Sequence, residues 1–332
     1  MNRGGSPPGG CRRTRPAGLS DRDTSRALSI AWGLGLGKVI GLLHQFCSII
    51  VPVFNQWHLV SGLVACLEKQ SISASGFELI LVDNGSEWCP DESTDPGFAK
   101  RVYCATPGSY AARNAGITQA RGEVFAFTDA DCLPDPEWLL EGMRCVYGTG
   151  EGRAIVAGAV VMTSCDPTNP APYELYDLVM GIPQKRYVQR GYGVTANLFV
   201  PRKVCERVGG FDEKRLSGGD AEFCWRARRN HTPVLYCGEA KVAHAARRTM
   251  DELVRKARRV KGGQITAGPI WRRIVYTVYT FVPPLRVWKE AWSASGFAVS
   301  ERLRLCAIQL CLWAAEILEI FRLLLGYPPE RR

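Results

Sequence analysis

The chain has 332 residues, enough for one large domain with appendages or for two small domains. Hydrophobic residues make up 46% and charged residues 22%, a composition that is typical of globular proteins and excludes a chain disordered throughout. The thirteen cysteines are odd in number and form no C-x-x-C pair. We therefore expect neither a disulfide framework nor a structural zinc site, and we predict free thiols and a cytoplasmic location.

The net charge of +10 is concentrated at the two ends of the chain. Residues 1–26 hold six basic and two acidic residues, and residues 247–332 hold sixteen and seven. The stretch between them has twenty basic against twenty-three acidic residues. We predict a disordered or short helical extension over 1–44. No nucleic-acid-binding signature is present, so no nucleic-acid partner is expected.

From residue 46 onward, apolar strands alternate with helices. This alternation predicts an α/β fold over residues 45–246, with a mostly parallel central sheet and helices on both faces. The predicted strands are 46–53, 77–82, 102–105, 123–128, 155–162, 195–200, 234–236 and 241–244. The predicted helices are 57–70, 109–120, 136–147, 202–208 and 221–229, and residues 166–184 are expected to form a loop with a short helix.

Polar residues follow three of these strands. Asn55, Asp83 and Asp129 each stand where a predicted strand ends. Open α/β sheets bind ligands at the carboxyl ends of their strands, so we expect these three side chains at one edge of the sheet.

The C-terminal unit, residues 247–332, has a different character. A basic helix is predicted at 250–261 and a long helix with a wide apolar face at 302–325, and the stretch 274–285 between them is apolar and aromatic but broken by two prolines. The longest wholly apolar run in the long helix is only six residues, 310–315. A membrane-spanning helix needs about 20 residues, so we predict none. Helices lying on an anionic membrane surface fit this composition. Packing on the catalytic domain or on a second subunit is the alternative, and the sequence leaves both open.

A carboxylate pair follows the strand at 123–128. Asp129 and Asp131 are two residues apart, and hard carboxylate oxygens suit Mg²⁺ or Mn²⁺, which in turn bridge phosphates. A solvated turn is the alternative, because turns are rich in aspartate. His244, at the end of a short strand, is a candidate metal ligand or phosphate contact, or else a structural histidine.

Further candidates lie at helix starts and turns. Asp83 precedes an Asn-Gly-Ser turn and can accept a hydrogen bond from a nucleobase or ribose, or simply form the turn. Arg113 and Asn114, early in a helix, can meet an anion or a base, or lie on the surface. Asp220 follows two glycines at a helix start, as a general base or as a helix cap.

Six motif blocks occur in order along residues 46–246. Together they resemble the family 2 glycosyltransferases, which have the GT-A fold. The blocks are Ser-Ile-Ile-Val-Pro-Val-Phe-Asn at 48–55, Leu-Ile-Leu-Val-Asp-Asn-Gly-Ser at 79–86, Ala-Arg-Asn-Ala-Gly at 112–116, Phe-Thr-Asp-Ala-Asp-Cys at 127–132, Gly-Gly-Phe-Asp-Glu at 209–213 and Gly-Asp-Ala-Glu at 219–222.

The resemblance implies an inverting, metal-dependent transferase of hexosyl type with a nucleotide-sugar donor, by default a UDP-sugar. Through it, Pro52, Phe54 and Asp83 correspond to nucleoside-pocket positions, and Arg113 corresponds to a position that contacts the base or the diphosphate. Asp129 matches a position that touches the ribose or the metal, Asp131 a metal ligand, and Asp220 the catalytic base. Many members have Glu before this aspartate, whereas this chain has Gly219, which puts the acceptor contact of that glutamate in doubt.

The acceptor is predicted to be a saccharide or a lipid-linked molecule, in cell-envelope or exopolysaccharide glycan synthesis. Basic apolar helices favour peripheral contact with an anionic membrane. A sugar nucleotidyltransferase is one rival, but it would show a glycine-rich basic loop where Asn55-Gln-Trp-His stands. An inactive, membrane-recruited nucleotide-sugar-binding module is another, and the presence of Asp129, Asp131 and Asp220 argues against it.

Overall fold

The computed structural model describes residues 45–148, 153–293 and 296–330. The N-terminal extension predicted over residues 1–44 lies outside these residues. The described residues form one eight-stranded sheet with helices around it, followed by four C-terminal helices.

The sheet has the order β3-β2-β1-β4-β7-β6-β8-β5. Strands β1 to β4 run parallel, β7 lies antiparallel to both β4 and β6, β8 is parallel to β6, and β5 is antiparallel to β8. Four of the seven pairings are therefore parallel, and the predicted α/β class is confirmed. The strands are β1 Cys47–Val53, β2 Phe77–Asp83, β3 Ala99–Tyr103, β4 Val124–Thr128, β5 Cys132–Pro134, β6 Ile155–Thr163, β7 Asn197–Pro201 and β8 Val234–Ala245.

Helices cover both faces of the sheet. Those of the catalytic part are α1 Trp57–Leu67, α2 Ser109–Gln119, α3 Trp138–Gly148, α4 Pro172–Met180, α5 Gln184–Gln189, α6 Arg202–Val208 and α7 Gly219–Arg229. The C-terminal helices are α8 Met250–Thr266, α9 Ile270–Thr280, α10 Leu285–Ser293 and α11 Val299–Leu324.

The core lies on both sides of β1, every residue of which is buried. Successive side chains of a strand point to opposite faces, so Ile49 joins the layer under α1 and α3, whereas Ile50 joins the layer under α2 and α7. A strand covered on both faces needs a continuous apolar run, and this is why β1 could be located from the sequence.

Three local predictions were wrong. The short strand β5 was not foreseen, because three residues carry too little pattern to recognise. The two short strands predicted at 234–236 and 241–244 form one strand, β8, whose pairing with β6 is irregular between Gly158 and Ala159. The segment expected to hold one short helix contains two, α4 and α5.

One cysteine pair departs from the expectation of free thiols. Cys145 of α3 and Cys237 of β8 form a disulfide across 92 residues of sequence, whereas ten other described cysteines are free. The pair exists because α3 packs over β8, a contact that cysteine spacing does not reveal.

The C-terminal helices α8 and α11 pack on the catalytic part. Leu175 and Tyr176 of α4 form a small core with Leu253 of α8 and with Leu305 and Ile308 of α11. Packing on the protein, one of the two alternatives left open by the sequence, is thus observed for these two helices. In the part of the chain that the structure covers, no helix combines the length and the apolar character that crossing a bilayer demands.

Candidate active site

A cavity of about 470 Å³ opens at the edge of the sheet where β4 ends. Its walls bring together Arg113 of α2, Asp129 after β4, Asp220 of α7 and His244 of β8. The lining is completed by residues of α5, α8 and α9, so the C-terminal helices form one side of the cavity. Of the three side chains predicted to lie at one edge of the sheet, Asp129 lines this cavity, whereas Asn55 and Asp83 do not.

Arg113 and Asp129 form a buried ion pair at the cavity wall. The guanidinium Nη2 of Arg113 lies 2.5 Å from Oδ1 of Asp129, and only 3% of the Arg113 side chain is exposed. A buried arginine is costly unless it is paired, and this partner explains why the sequence tolerates one on the inner face of α2. The surface alternative for Arg113 is excluded.

His244 faces Asp131 across the junction of β5 and β8. Cys132 pairs with His244 in the strand register, so Nε2 of His244 comes within 3.6 Å of Oδ1 of Asp131. Nδ1 lies 2.9 Å from the carbonyl oxygen of Ala245, which suits the tautomer with its proton on Nδ1. The Nε2 lone pair is then turned toward the carboxylate, an arrangement common among metal-binding histidines.

The ligand atoms of Asp131, Cys132 and His244 all lie within 4.8 Å of one another. The Cys132 thiol is buried and directed toward the carbonyl oxygen of Ala196, and burial raises its pKa, so we take Asp131 and His244 as the candidate ligands. A carboxylate and an imidazole remain, and this donor set suits Mn²⁺ or Mg²⁺ better than a soft metal.

Asp220 lies in the first turn of α7. Gly218, in the left-handed conformation with φ 73°, occupies the capping position, so the alternative that Asp220 is the helix cap is excluded. Its Oδ1 accepts hydrogen bonds from the Tyr110 hydroxyl at 3.3 Å and from the backbone N–H of Ala221 at 2.9 Å. Burial raises the pKa of Asp220 above its ordinary value, although these donors and the nearby Arg113 act in the opposite direction. A carboxylate with a raised pKa is a stronger proton acceptor once it is ionised.

The ring of Tyr110 explains why position 219 is occupied by glycine. A Cβ atom at position 219 would lie 2.7 Å from Cε2 of that ring, closer than any real contact. Tyr110 thus fills the space that a side chain at position 219, next to Asp220, would need.

The other residues predicted to contact the nucleotide-sugar donor fall into two groups, those that line a pocket and those that do not. Pro52 and Phe54 line a narrow pocket of about 30 Å³, which shares Ser109 and Arg259 with the main cavity. Asn55, Asp83 and Asn114 line neither pocket.

These three side chains hold loops together. Asp83 accepts hydrogen bonds from the indole Nε1 of Trp57 at 3.1 Å and from the backbone of the turn that follows it. Asn55, at φ 53°, accepts a hydrogen bond from the backbone N–H of Glu87. Asn114 binds the backbone of Phe211 through both ends of its amide. Their roles as donor contacts stay predictions.

Two kinds of residue in the site were missed from the sequence. Asn84 is buried, and its amide joins the loop before α2 to β2 by binding Cys104, Thr106 and Gly108. The cavity is also lined by cations from the C-terminal half of the chain: Arg190, Arg215, Arg247, Lys256, Arg259 and Arg272. The available signal for the second set was the basic run at 255–261.

Comparison with known proteins decides the family. The sequence model of Glycosyl transferase family 2 matches residues 48–211. Glycosyltransferase AglE of Haloferax volcanii is 33% identical over 227 residues, which cover 66% of this chain and 73% of that protein. The chain belongs to glycosyltransferase family 2. It is accordingly a glycosyltransferase that moves sugar from a nucleotide sugar, and the family membership predicted from the six motif blocks is confirmed.

Two further relatives bear on this assignment. The pre-mycofactocin glycosyltransferase of Mycobacterium tuberculosis is 31% identical over 234 residues, which cover 65% of this chain but only 46% of that protein. The mannosyltransferase PcManGT of Pyrobaculum calidifontis, solved with GDP-Man and Mn²⁺, superposes with a TM-score of 0.54 at 15% identity. The superposition covers 91% of this chain and 95% of that protein, so the fold is GT-A.

Proposed function

We propose that this chain is an inverting glycosyltransferase in which Asp220 removes a proton from an acceptor hydroxyl while Asp129, Asp131 and His244 hold a divalent metal. The observation that carries the proposal is the position of Asp220. Its carboxylate, with a raised pKa, faces the same cavity as the ion pair of Arg113 and Asp129. Cell-envelope or exopolysaccharide glycan synthesis is the pathway class that we propose.

The metal in this proposal is Mn²⁺ or Mg²⁺. Such an ion, when bound, stabilises the negative charge that develops on the leaving diphosphate. Asp131 and His244 are oriented for this by the β5–β8 pairing and by the contact between His244 and the carbonyl of Ala245. Asp129, the third ligand that we propose, is paired with Arg113 and lies two residues before Asp131.

In the proposed reaction, the acceptor hydroxyl displaces the diphosphate from the sugar. Asp220 takes the hydroxyl proton, and the acceptor oxygen forms a bond with the anomeric carbon from the face opposite the diphosphate. The bond from that carbon to the diphosphate oxygen breaks, and its electron pair leaves with the diphosphate. A single displacement inverts the configuration at the anomeric carbon. The transition state has oxocarbenium character.

The substitution Asp220→Asn tests the role of the base. We expect transfer to fall by about 10²- to 10⁴-fold or more, with donor affinity measured by calorimetry unchanged. Glu222→Gln is the matched control, because Glu222 lies on the same helix, pairs with Arg226 and does not line the cavity. Loss of donor binding in the Asp220→Asn variant, or transfer at the control rate, would refute the assignment.

The donor that we propose is a UDP-sugar. The family resemblance makes UDP the default nucleotide, and the pocket lined by Pro52 and Phe54, which shares Ser109 and Arg259 with the main cavity, is the position we propose for its base. A thermal-shift panel of UDP, GDP and dTDP with Mn²⁺ tests this directly. The largest stabilisation is expected with UDP, and a larger shift with GDP would contradict the choice.

We propose that α9 and its neighbours rest on an anionic membrane surface. The outward face of α9 is apolar: Ile274, Val275, Val278 and Tyr279 are each more than half exposed. Its cavity face instead carries Arg272. A helix that turns its apolar face to solvent is the reverse of the ordinary arrangement, and large exposed apolar patches mark contact surfaces. Basic residues on α9 and α10 favour a bilayer with anionic lipids over a neutral one.

A further inference from the structure

The side of the cavity formed by the C-terminal half of the chain is strongly cationic. Its lining includes Arg190, which directly follows α5, Lys256 and Arg259 of α8, and Arg272 of α9. Arg215 and Arg247 line it as well, so seven cationic side chains surround one cavity when Arg113 is counted.

Acidic partners neutralise part of this charge. Arg247 and Lys256 share the buried carboxylate of Asp177, at 2.8 and 3.0 Å, and Arg215 pairs with Asp212. Among the residues that the structure describes, Arg190 and Arg272 have no carboxylate within ion-pair distance. The Arg272 guanidinium instead lies 4.8 Å from the centre of the Trp225 ring and donates to the hydroxyl of Tyr276 at 3.1 Å.

The donor does not account for these two cations. A nucleotide diphosphate sugar carries two negative charges on its diphosphate, and a divalent metal at Asp131 and His244 would balance them. Arg113, paired with Asp129, lines the same cavity and is a further cation that the donor diphosphate can use. Arg190 and Arg272 line the same cavity as Arg113 but come from the C-terminal half of the chain, so these two further cations are available to a second anion.

Trp225 contacts both Arg190 and Arg272 and lies on the same helix as Asp220, the proposed base. It lies five residues after Asp220 on α7, about 7.5 Å along the helix axis. Its indole Nε1 donates to the carbonyl oxygen of Arg190 at 3.3 Å, and its ring carries Arg272 on one face. Tyr192 packs edge-on against Trp225 and is stacked on Tyr187, so an aromatic wall connects the cations with Asp220.

We propose that the acceptor carries a phosphate or diphosphate group, which Arg190 and Arg272 bind about one sugar ring away from the hydroxyl that Asp220 deprotonates. Guanidinium groups bind phosphate oxygens in pairs, and aromatic rings pack on the apolar faces of sugars, so the wall of Tyr187, Tyr192 and Trp225 suits the ring between the two ends. The inference rests on the proposed function, since it takes Asp220 as the base.

The experiment measures how acceptor analogues bind to protein whose donor site is already saturated. The protein is saturated with UDP and Mn²⁺ and titrated by calorimetry with glucose 1-phosphate and with methyl glucoside. Farnesyl phosphate and farnesol in detergent micelles form a second pair. We expect each phosphate-bearing probe to bind at least tenfold more tightly than its uncharged counterpart. Preference for farnesyl phosphate would identify a lipid-linked source, and preference for glucose 1-phosphate a soluble sugar phosphate.

The double variant Arg190→Gln with Arg272→Gln assigns the binding to these side chains. It should weaken binding of the phosphate probes by at least tenfold and leave UDP–Mn²⁺ affinity within twofold. The matched control is Lys185→Gln with Arg229→Gln, which removes the same charge from exposed positions of α5 and α7 that do not line the cavity.

Two results would overturn the inference. One is equal binding of the phosphate-bearing and uncharged probes. The other is loss of UDP–Mn²⁺ affinity in the double variant, which would assign the cations to the donor. Failure of the proposed function can be distinguished from failure of this inference. If Asp220 is not the base, the Asp220→Asn variant retains transfer, and this result does not depend on how the phosphate-bearing probes bind.

Discussion

The hydroxyl of Tyr110 on α2 donates a hydrogen bond to the Asp220 carboxylate on α7, across 3.3 Å and 110 residues of sequence. This contact favours the ionised form of the base, whereas burial favours the protonated form. The balance between the two sets the lowest pH at which Asp220 can accept a proton.

Tyr110→Phe should therefore shift the acid limb of the profile of kcat/KM against pH. Removing a donor from a carboxylate destabilises its anion, so the pKa of Asp220 rises further and the limb shifts to higher pH. One lost hydrogen bond of about 1 kcal/mol corresponds to roughly 0.5 to 1 pH unit. The measurement is kcat/KM against pH, with Tyr236→Phe, a tyrosine outside the cavity, as control. An unchanged limb, or one displaced to lower pH, would contradict the role given to Tyr110.

Gly219→Ala should disturb the same contact from the other side. The added Cβ would meet the Tyr110 ring at 2.7 Å, so the ring must move and its hydrogen bond to Asp220 is lost. We expect a pH profile like that of Tyr110→Phe and a loss of about 1 to 3 kcal/mol in the free energy of unfolding.

A double-mutant cycle checks the cause of this loss. In a Tyr110→Ala background no ring opposes the new methyl group, so the cost of Gly219→Ala should largely disappear. Equal costs in the two backgrounds would show that Gly219 is required for a reason other than Tyr110.

His244→Ala should weaken metal binding. We expect apparent Mn²⁺ affinity in the presence of UDP to fall at least tenfold, because a ligand with a fixed tautomer is removed. His58→Ala is the control, since His58 is exposed on α1 and lines neither pocket. Calorimetric titration with Mn²⁺ measures both variants, and matching affinities would remove His244 from the proposed metal site.

Ile274→Ser with Val278→Ser should reduce binding to membranes. Two aliphatic side chains, 56% and 63% exposed, lose their apolar contact with the bilayer, and the bound fraction should fall on the order of tenfold. Sedimentation with phosphatidylcholine vesicles containing phosphatidylglycerol measures this. Val161→Ser with Leu235→Ser, exposed apolar positions on the sheet, is the control. Equal sedimentation of both variants and the unaltered protein would argue against α9 as the contact surface.

The local signals in the sequence located most of the fold. The buried run of β1 and the periodic helices could be read because each pattern lies within a dozen residues. The rule for parallel strands predicted Asn55, Asp83 and Asp129 at one sheet edge, and the family motifs identified Asp220 as the candidate base. Asp129 and Asp220 line the cavity, whereas Asn55 and Asp83 do not. The disulfide between Cys145 and Cys237 and the short strand β5 were missed, since each depends on segments that meet only after folding.

The sequence by itself determined the α/β class, the family and the carboxylates of the site, because hydrophobic periodicity and ordered motifs are properties of neighbouring residues. Only the tertiary structure decided which partners these carboxylates receive. His244 reaches Asp131 through the pairing of β5 with β8, and Tyr110 reaches Asp220 because α2 and α7 pack on the same face of the sheet. Such contacts join residues more than 100 positions apart, and they form only when burial of the shared core brings their elements together.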